Sequence, residues 1–398
     1  MRPSPLPPDV VRLIEALDGG LVVVTAYAQQ QLSGDMAAPF VQEASFWWLS
    51  RIEQPGWKLV IDGSRRKTTL IRPRLTKSQI VFDGGLDDSR ALELSGAHDV
   101  IGADEFEAFL RQARRAHSMV YTIKPNIEEY DFETNPAQHE LCVVLERIFT
   151  TVQDCTPALA QLRAIKTPFE IMSMKKAIKL TTTAFAEVRA RLGDYSYEYE
   201  IEADITRCFR RHNAKHAYEP IVASGKNALT LHYTANRHKL AKNQFVLIDV
   251  GARADGYCAD ITRTYCINPT KRQRQVHEAV EHAHHAIISL IKPGLPVAEY
   301  LSQVDEIMKD AMIRLGLLKD RSDEVLYHTY FPHAVSHGLG VDVHDSLGAP
   351  RYLAEGMVLT VEPGIYIPEE GIGVRIEDDV LVTKTGYKNL SGSLSTNL

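Results

Sequence analysis

The sequence lacks the features that would mark a nucleic-acid-binding or membrane protein. Its 45 Lys and Arg are outnumbered by 51 Asp and Glu, which gives a net charge of -6. A nucleic-acid partner requires an excess of cationic side chains to neutralise phosphates, so this partner is disfavoured. No apolar run approaches the length of a membrane span, because runs such as residues 21–24 and 245–248 are only strand-sized.

Signals for export and for disulfide stabilisation are missing as well. The first residues contain no apolar core of a signal peptide. The five cysteines are widely spaced and form no CxxC pair, so we expect free thiols in a reducing compartment. We therefore expect a cytoplasmic protein. Its 398 residues, 44% of them hydrophobic, are enough for two domains with sizeable cores.

The pattern of helical and extended segments changes along the chain. Residues 1–160 alternate short apolar runs with helical patterns, which is typical of an α/β domain. Residues 167–170 (TPFE) predict a helix start, with Thr as N-cap, Pro in the first turn and Glu completing a capping box. Residues 161–398 place helices around acidic extended segments and end in a β-rich block. This order predicts an α+β domain whose helices cover a curved antiparallel sheet.

Residues 245–265 (FVLIDVGARADGYCADITRTY) contain two aspartates that a hairpin would bring together. Asp249 ends an apolar run, and Asp260 lies in the following extended run. A turn centred near Ala254 and Asp255 would place the two carboxylates side by side. Buried carboxylates repel each other, so a cation between them is the economical explanation, with turn or cap roles as the alternative.

The C-terminal block repeats this arrangement. Apolar residues 358–361 lead into Glu362, and a second extended run ends on Glu377. The midpoint between the two glutamates falls within the Pro-Glu-Glu-Gly turn at 368–371, so a second hairpin would join this pair. Arg375 precedes Glu377 by two positions and shares its strand face.

Three histidines lie between the two acidic hairpins. The segment FPHAVSHGLGVDVHD contains His333, His337 and His344, and their density favours a site over structural roles. Four carboxylates and one histidine carry more negative charge than one divalent ion needs, which predicts a two-metal site. The oxygen-rich set favours Mn²⁺, with Co²⁺ or Zn²⁺ as alternatives. Such ions would activate a bridging water and polarise a carbonyl, which suits hydrolysis of an amide bond.

A second group of histidines lies on a predicted helix. His282, His284 and His285 have no carboxylate at a fitting spacing on the same helix face. We therefore predict a solvated helix surface there and not a second metal site.

Four segments in combination resemble the pita-bread metallopeptidases, the family of methionine aminopeptidase, aminopeptidase P and prolidase. They are LIDVGARADGYCADITRTY, SHGLGVDVHD, GMVLTVEPGIYI and GVRIEDDVLVT, within about residues 167–386. The preceding region resembles the creatinase-like domain of prolidase and aminopeptidase P in FVQEASFWWLSRIEQPGWKLVID and TTLIRPRL. Methionine aminopeptidases lack that domain. The resemblance implies a smaller creatinase-like α/β domain over 1–160 and a pita-bread catalytic domain over 161–398.

The resemblance also implies which residues hold the metals. The five ligands would be Asp249, Asp260, His337, Glu362 and Glu377. Asp260 and Glu377 would bridge the two ions, and Asp249 would hold one of them. His337 and Glu362 would hold the other, with Glu362 also acting as general base and proton shuttle. Because every ligand position is filled, a creatinase-like enzyme or a pure binding protein is only a remote alternative.

Other residues match positions around the substrate in that family. His344 would steady the substrate carbonyl and the tetrahedral intermediate. His232 and His333 would line the substrate pocket. Arg375 would contact the substrate carboxylate or order the site, with Tyr366 as its partner.

Both family branches with this domain organisation cleave the bond before a proline, a tertiary amide without an N–H. Prolidase takes dipeptides, and aminopeptidase P takes longer chains. PGWKLVID, TTLIRPRL and the compact length favour prolidase, so the main prediction is an Xaa-Pro dipeptidase and aminopeptidase P is the alternative. The expected partners are short peptides with proline in second position. The resemblance suggests a homodimer, in which loop 31–39 would reach a neighbouring site and Asp35 would meet the substrate amine.

Overall fold

The computed structural model of the protein describes residues 6–124 and 134–398. The chain divides into two compact units, Met1–Leu162 and Arg163–Leu398. Each unit contains its own cluster of buried apolar side chains. No helix within the described ranges is both long and apolar enough to cross a membrane.

The first unit is built on a mixed sheet. Its strands are β1 Leu21–Thr25, β2 Gln31–Ser33, β3 Met36–Ala37, β4 Lys58–Asp62, β5 Lys67–Arg72, β6 Asp99–Gly102, β7 Met119–Thr122 and β8 Thr151–Asp154. Its helices are α1 Pro8–Ala16, α2 Ala44–Ser50, α3 Lys77–Asp83, α4 Asp88–Ser95, α5 Phe106–Ala113, α6 Pro136–Ile148 and α7 Thr156–Ala164, whose last residues belong to the second unit. Over the described residues, the sheet order is β6-β5-β4-β1-β7-β8. The buried strand β1 pairs antiparallel with β4 and parallel with β7.

The second unit, described without gaps, combines helices with antiparallel strands. Its helices are α8 Pro168–Ala190, α9 Glu198–Arg211, α10 Lys271–Leu290, α11 Val297–Arg314 and α12 Glu324–Tyr330. Its strands are β9 Lys215–His216, β10 Ile221–Ser224, β11 Val246–Val250, β12 Ala252–Ala254, β13 Tyr257–Cys258, β14 Ile261–Tyr265, β15 Val358–Val361, β16 Gly364–Ile367, β17 Ile372–Arg375, β18 Asp378–Thr383 and β19 Gly386–Asn389. All strand pairs among residues 163–398 are antiparallel, as predicted.

Helix α8 begins where the sequence predicts and holds the first acidic hairpin. The Thr167 hydroxyl accepts a hydrogen bond from the Glu170 N–H at 3.3 Å, and the Glu170 carboxylate accepts one from the Thr167 N–H at 2.8 Å. This capping box satisfies N–H groups that have no partner within the helix. Further along α8, the Thr181 hydroxyl accepts a hydrogen bond from the Ala252 N–H at 2.9 Å. The helix is thereby joined to the backbone of the hairpin.

The first hairpin forms, but its register differs from the prediction. Asp255 and Gly256 occupy the turn with φ of 50° and 80°, and Asp249 pairs with Thr262. An Asp-Gly turn with two positive φ angles has the same twist as the strands that it joins, so it is the preferred turn here. The centre of the hairpin is therefore one residue later than predicted. The same register places Asp260 opposite Gly251. The two aspartates are therefore diagonal neighbours on one sheet face and not a directly opposed pair.

The second hairpin has the predicted register. Gly364 pairs with Arg375, and Val361 pairs with Asp378 on the adjoining strands. Between these pairs, the register places Glu362 opposite Glu377. The turn lies at 368–371, as the spacing of the two glutamates predicts.

The histidines of α10 divide into two environments. His282 and His285 are exposed, as predicted, but His284 is fully buried, and its Nε2 lies 3.3 Å from Asp378 Oδ2. The prediction of a solvated surface is therefore wrong for His284. Its carboxylate neighbour comes from β18, which no spacing along the helix could have revealed. Burial lowers the pKa of His284 to about 4, so the ring is neutral at pH 7.

Gly251 allows the strands of the first hairpin to approach closely. A Cβ at this position would lie 1.7 Å from the Ala259 carbonyl oxygen, so we expect Gly251→Ala to lower the free energy of unfolding by about 3 kcal/mol. Urea unfolding followed by circular dichroism measures this loss. Gly386→Ala is the matched control, because among the described residues no heavy atom lies within 4 Å of its added Cβ. Equal stability of the two variants would contradict the prediction.

Candidate active site

The two acidic hairpins are joined through Thr262 and Glu377. The Glu377 N–H donates to the Thr262 carbonyl at 3.0 Å, and the Thr262 hydroxyl donates to Glu377 Oε2 at 2.7 Å. On the same strand, the buried guanidinium of Arg263 donates to the Glu377 carbonyl at 2.7 Å and to Asp378 Oδ1 at 2.7 Å. These bonds hold the carboxylates of the second hairpin against those of the first.

A cluster of candidate ligands forms where the hairpins meet. One donor atom each of Asp260, His337 and Glu377 lies within 4.8 Å of the other two. His337 Nε2 is 3.5 Å from Asp260 Oδ2 and 3.6 Å from Glu362 Oε1. Asp249, the fifth predicted ligand, is linked to Asp260 through a tyrosine hydroxyl. The structure thus brings all five predicted ligands into one region.

That hydroxyl belongs to Tyr218, and its position supports a cation between the carboxylates. It lies 2.5 Å from both Asp249 Oδ1 and Asp260 Oδ1. A hydroxyl carries one proton and can donate to only one of these oxygens. The short distance between the hydroxyl and the other carboxylate oxygen therefore requires another proton or a cation. With oxygen donors and one imidazole at hand, the residues present fit hard divalent metal ions.

The pKa values of the clustered side chains also indicate an excess of negative charge. Burial, reinforced by the charge of Asp260, raises the pKa of Glu377 well above its usual range. Burial also raises the pKa of Asp249, and it raises the pKa of Glu362 to about 7. The pKa of His337 is also raised, to about 9: burial opposes its charge, but the hydrogen bond and charge of Asp260 outweigh burial. Metal binding would have to displace these protons.

His337 is oriented by its backbone surroundings. Its Nδ1 lies 3.0 Å from the Gly338 carbonyl, so an N–H there leaves Nε2 free to face the carboxylates. The backbone N–H of His337 donates to the Thr360 hydroxyl at 3.1 Å. The His344 ring packs edge-on against the His337 ring, with centroids 4.5 Å apart. Partial desolvation and the charge of His337 lower the pKa of His344.

Arg375, Tyr366 and His333 form a hydrogen-bonded chain beside the carboxylates. Arg375 is buried, and its guanidinium donates to Asp249 Oδ2 at 2.5 Å and to the Tyr366 hydroxyl at 2.8 Å. The Tyr366 hydroxyl contacts His333 Nε2 at 2.9 Å, and His333 Nδ1 lies 3.6 Å from Glu362 Oε2. Of the two roles predicted for Arg375, ordering of the site therefore has direct contacts in the structure.

Two of the predicted site residues, His232 and Asp35, are exposed to solvent. His232 is exposed and follows the 3₁₀ helix at Gly225–Leu229. Asp35 belongs to the first unit and is exposed in the turn between β2 and β3. Its proposed contact with a substrate amine remains a prediction.

Several residues that organise the site are not predicted by the sequence motifs. Tyr218 lies thirty-one positions before Asp249, to which it donates, and it stands outside the acidic motifs. Asp379 is fully buried behind Asp260, whose N–H it accepts at 3.3 Å. The signal available for Arg263 was a cation in the middle of the extended run ITRTY, since such a cation needs a carboxylate partner when the strand is buried.

Comparison with known proteins identifies the class to which this site belongs. Residues 172–384 match Metallopeptidase family M24, and residues 9–121 match the aminopeptidase P N-terminal domain. The chain belongs to metallopeptidase family M24. The predicted fold, a pita-bread domain preceded by a creatinase-like domain, is confirmed by these matches.

Similarity to individual proteins indicates which branch of the family this chain resembles. The chain is 32% identical to the Xaa-Pro aminopeptidase of Escherichia coli, and the alignment covers 96% of this chain and 93% of the relative. Aminopeptidase P from the same organism with the inhibitor Pro-Leu superposes with a TM-score of 0.84 at 30% identity, covering 98% and 95% of the two chains. The zinc-substituted enzyme in complex with product gives a TM-score of 0.83 at 31% identity, covering 98% and 96%. These relatives favour the alternative prediction, aminopeptidase P, over the main prediction of prolidase.

The carboxylate cluster should make the metal-free protein less stable. The folded pKa of Glu377 is raised above its unfolded value, so its contribution favours folding at low pH and is lost as the pH rises. Glu377→Gln should therefore stabilise the metal-free protein by roughly 1–3 kcal/mol at pH 8 and much less at pH 5, since a tenfold change in proton affinity is worth about 1.4 kcal/mol. Thermal unfolding at both pH values tests this.

The same variant should lose the rise in melting temperature that Mn²⁺ produces in the wild type. Glu369→Gln is the control, because this glutamate is exposed in the turn at 368–371. A Glu377→Gln protein that is less stable than wild type at pH 8 without metal would show that the carboxylates do not repel one another.

Proposed function

We propose that this chain is a dinuclear metal hydrolase that removes the N-terminal residue from peptides with proline in second position. The observation that carries the proposal is the cluster of Asp249, Asp260, His337, Glu362 and Glu377 in a chain of family M24. The similarity to Xaa-Pro aminopeptidases over nearly the full length supports the aminopeptidase activity. Xaa-Pro dipeptidase activity is the second candidate, on the strength of the prolidase-like segments in the first unit.

The metal ions would supply electrophilic activation of the scissile carbonyl and acidify the attacking water. Asp249, Asp260, His337, Glu362 and Glu377 would hold them, with Asp260 and Glu377 as the bridging carboxylates. Mn²⁺ is the proposed physiological ion, because the donor set is rich in oxygen.

Glu362 is the proposed general base. It lies at the end of β15, and burial brings its pKa to about 7 in the metal-free protein, near the pH at which it must both accept and release a proton. It would take a proton from the attacking water and deliver it to the proline nitrogen. An amide nitrogen is a poor leaving group as an anion, so the bond breaks readily only when a proton is delivered to the nitrogen.

The histidines would stabilise the charge that develops on the substrate. His344 has a lowered pKa, so it is neutral at pH 7 and keeps one N–H to donate to the oxyanion of the tetrahedral intermediate. His333 is also neutral, because burial lowers its pKa to about 4. With His232 it would line the substrate pocket. Arg375 and Tyr366 would order this side of the substrate pocket. Where the substrate extends that far, they would also bind the substrate carboxylate.

Activity on matched peptides tests the proposal. Metal-free protein supplied with Mn²⁺, Co²⁺ or Zn²⁺ should release alanine from Ala-Pro-Ala, with the highest rate in Mn²⁺. Initial rates are measured by separating the products and are compared with those on Ala-Pro. Cleavage of Ala-Pro alone would establish the dipeptidase candidate instead. No cleavage of either peptide with any of the three ions would refute the proposed function.

Glu362→Gln tests the assignment of the base. The amide cannot accept the proton, so we expect kcat to fall by 10²–10⁴-fold while circular dichroism remains that of the folded protein. Glu355→Gln is the control, since this glutamate is exposed a few residues earlier on the same segment. Near-normal kcat in Glu362→Gln, with metal content equal to that of wild type, would contradict its role.

In a homodimer, which remains a proposal, loop 31–39 would reach the neighbouring site. The small hairpin of β2 and β3 gives this loop a defined shape, and its exposed Leu32 and Met36 are available for contact.

A further inference from the structure

His232 lies in a segment with little regular structure. Between β10 and β11 the chain forms a short 3₁₀ helix, Gly225–Leu229, and then continues without helix or strand through His232. The His232 side chain is exposed, so packing alone does not fix it. Its position depends on the contacts that hold the segment on either side.

One buried carboxylate makes those contacts. Glu198, at the start of α9, is 0% exposed. Its Oε1 accepts hydrogen bonds from the Ser224 N–H at 2.7 Å, the Ser224 hydroxyl at 2.6 Å and Asn227 Nδ2 at 2.9 Å. Its Oε2 accepts from the Tyr233 hydroxyl at 2.9 Å and the His238 N–H at 2.8 Å. Two of the donor residues precede the exposed histidine, and two follow it.

One further hydrogen bond joins two of the donor residues: Asn227 donates to His238 Nδ1, and the Tyr233 hydroxyl, whose proton goes to Glu198, lies beside the same nitrogen. His238 Nδ1 lies 2.9 Å from Asn227 Nδ2 and 3.0 Å from the Tyr233 hydroxyl. Asn227 has two N–H bonds, so it can serve both Glu198 and the histidine ring. Hydrogen bonds to an ionised acceptor are stronger than neutral ones, and the N-terminus of α9 favours negative charge at this position. The carboxylate is therefore the centre of a closed network.

We infer that Glu198 is a positioning residue, which fixes residues 224–238 and so holds His232 toward the substrate. The inference rests on the proposed function, because the placement of His232 matters to a rate only if this site hydrolyses peptides. Glu198 acts through His232 and not on the reacting atoms. The 3₁₀ helix just before His232 packs against β17, the strand that carries Arg375, because a Cβ on Gly373 would lie 2.7 Å from the Ala228 carbonyl oxygen.

Hydrogen exchange tests whether Glu198 fixes the segment. Glu198→Gln keeps the size of the side chain but replaces one oxygen by an NH₂ group, which cannot accept the bonds on that side. The amides of residues 224–238 should then exchange faster than in wild type. Glu200→Gln is the matched control, since Glu200 is on the same helix turn but accepts from Ser196 and Tyr197, outside the segment. Unchanged exchange in Glu198→Gln would overturn the inference.

A double-mutant cycle tests whether Glu198 acts through His232. We expect kcat/KM for Ala-Pro-Ala in the Mn²⁺-loaded protein to fall about 10- to 100-fold in Glu198→Gln, because small misplacements of a catalytic group cost up to about 10²-fold. In a His232→Ala background the same change should cost less than about 3-fold. Equal losses in both backgrounds would mean a general structural role and would overturn the inference.

A milder variant keeps the test available if Glu198→Gln does not fold. Tyr233→Phe removes one hydroxyl from the network, and its loss of rate should likewise vanish in the His232→Ala background. Full activity of Tyr233→Phe together with unchanged exchange of 224–238 would count against the inference. An inactive wild type would refute the proposed function, whereas the exchange experiment would still decide whether Glu198 fixes the segment.

Discussion

Repulsion between buried carboxylates is the constraint on which the second unit depends. Asp249, Glu362 and Glu377 all have raised pKa values, first because burial removes them from water and then because they and Asp260 share one small region. A protein gains nothing from such a cluster by itself. Divalent ions between the carboxylates would convert this repulsion into attraction, so metal binding and folding stability are linked through the same atoms.

Two hairpins bring the carboxylates together, and polar side chains behind them keep them there. Thr262 pairs with Asp249 in the first hairpin and donates to Glu377 in the second, so one residue ties both pairs. Arg263 faces away from the cluster and binds the backbone of Glu377 from behind. Its guanidinium thus supports the backbone of Glu377, the proposed bridging ligand, without contacting the carboxylate.

The histidine side of the site depends on weaker and more distant support. His337 is held by the Gly338 carbonyl and the Thr360 hydroxyl, both close to it in the fold. Within residues 6–124 and 134–398, no side chain or backbone group forms a hydrogen bond with the His232 ring, and the network around Glu198 holds the chain on either side of it. His232 therefore depends on that network, because a residue that meets substrate must be held in place as closely as a metal ligand.

The sequence by itself determined the capping box at Thr167, the register of the second hairpin and the four acidic metal-binding candidates, because each is a local pattern of spacing and residue type. The choice of His337 as the fifth candidate rested on the family resemblance. The spacing of Asp249 and Asp260 predicts a first hairpin centred one residue too early, because the preference of Asp255-Gly256 for a two-residue turn decides the register. Only the tertiary structure decided that Tyr218 joins two carboxylates and that His284 is buried against Asp378. These contacts connect residues far apart in the chain, and no local periodicity encodes which distant partner will meet a buried polar group.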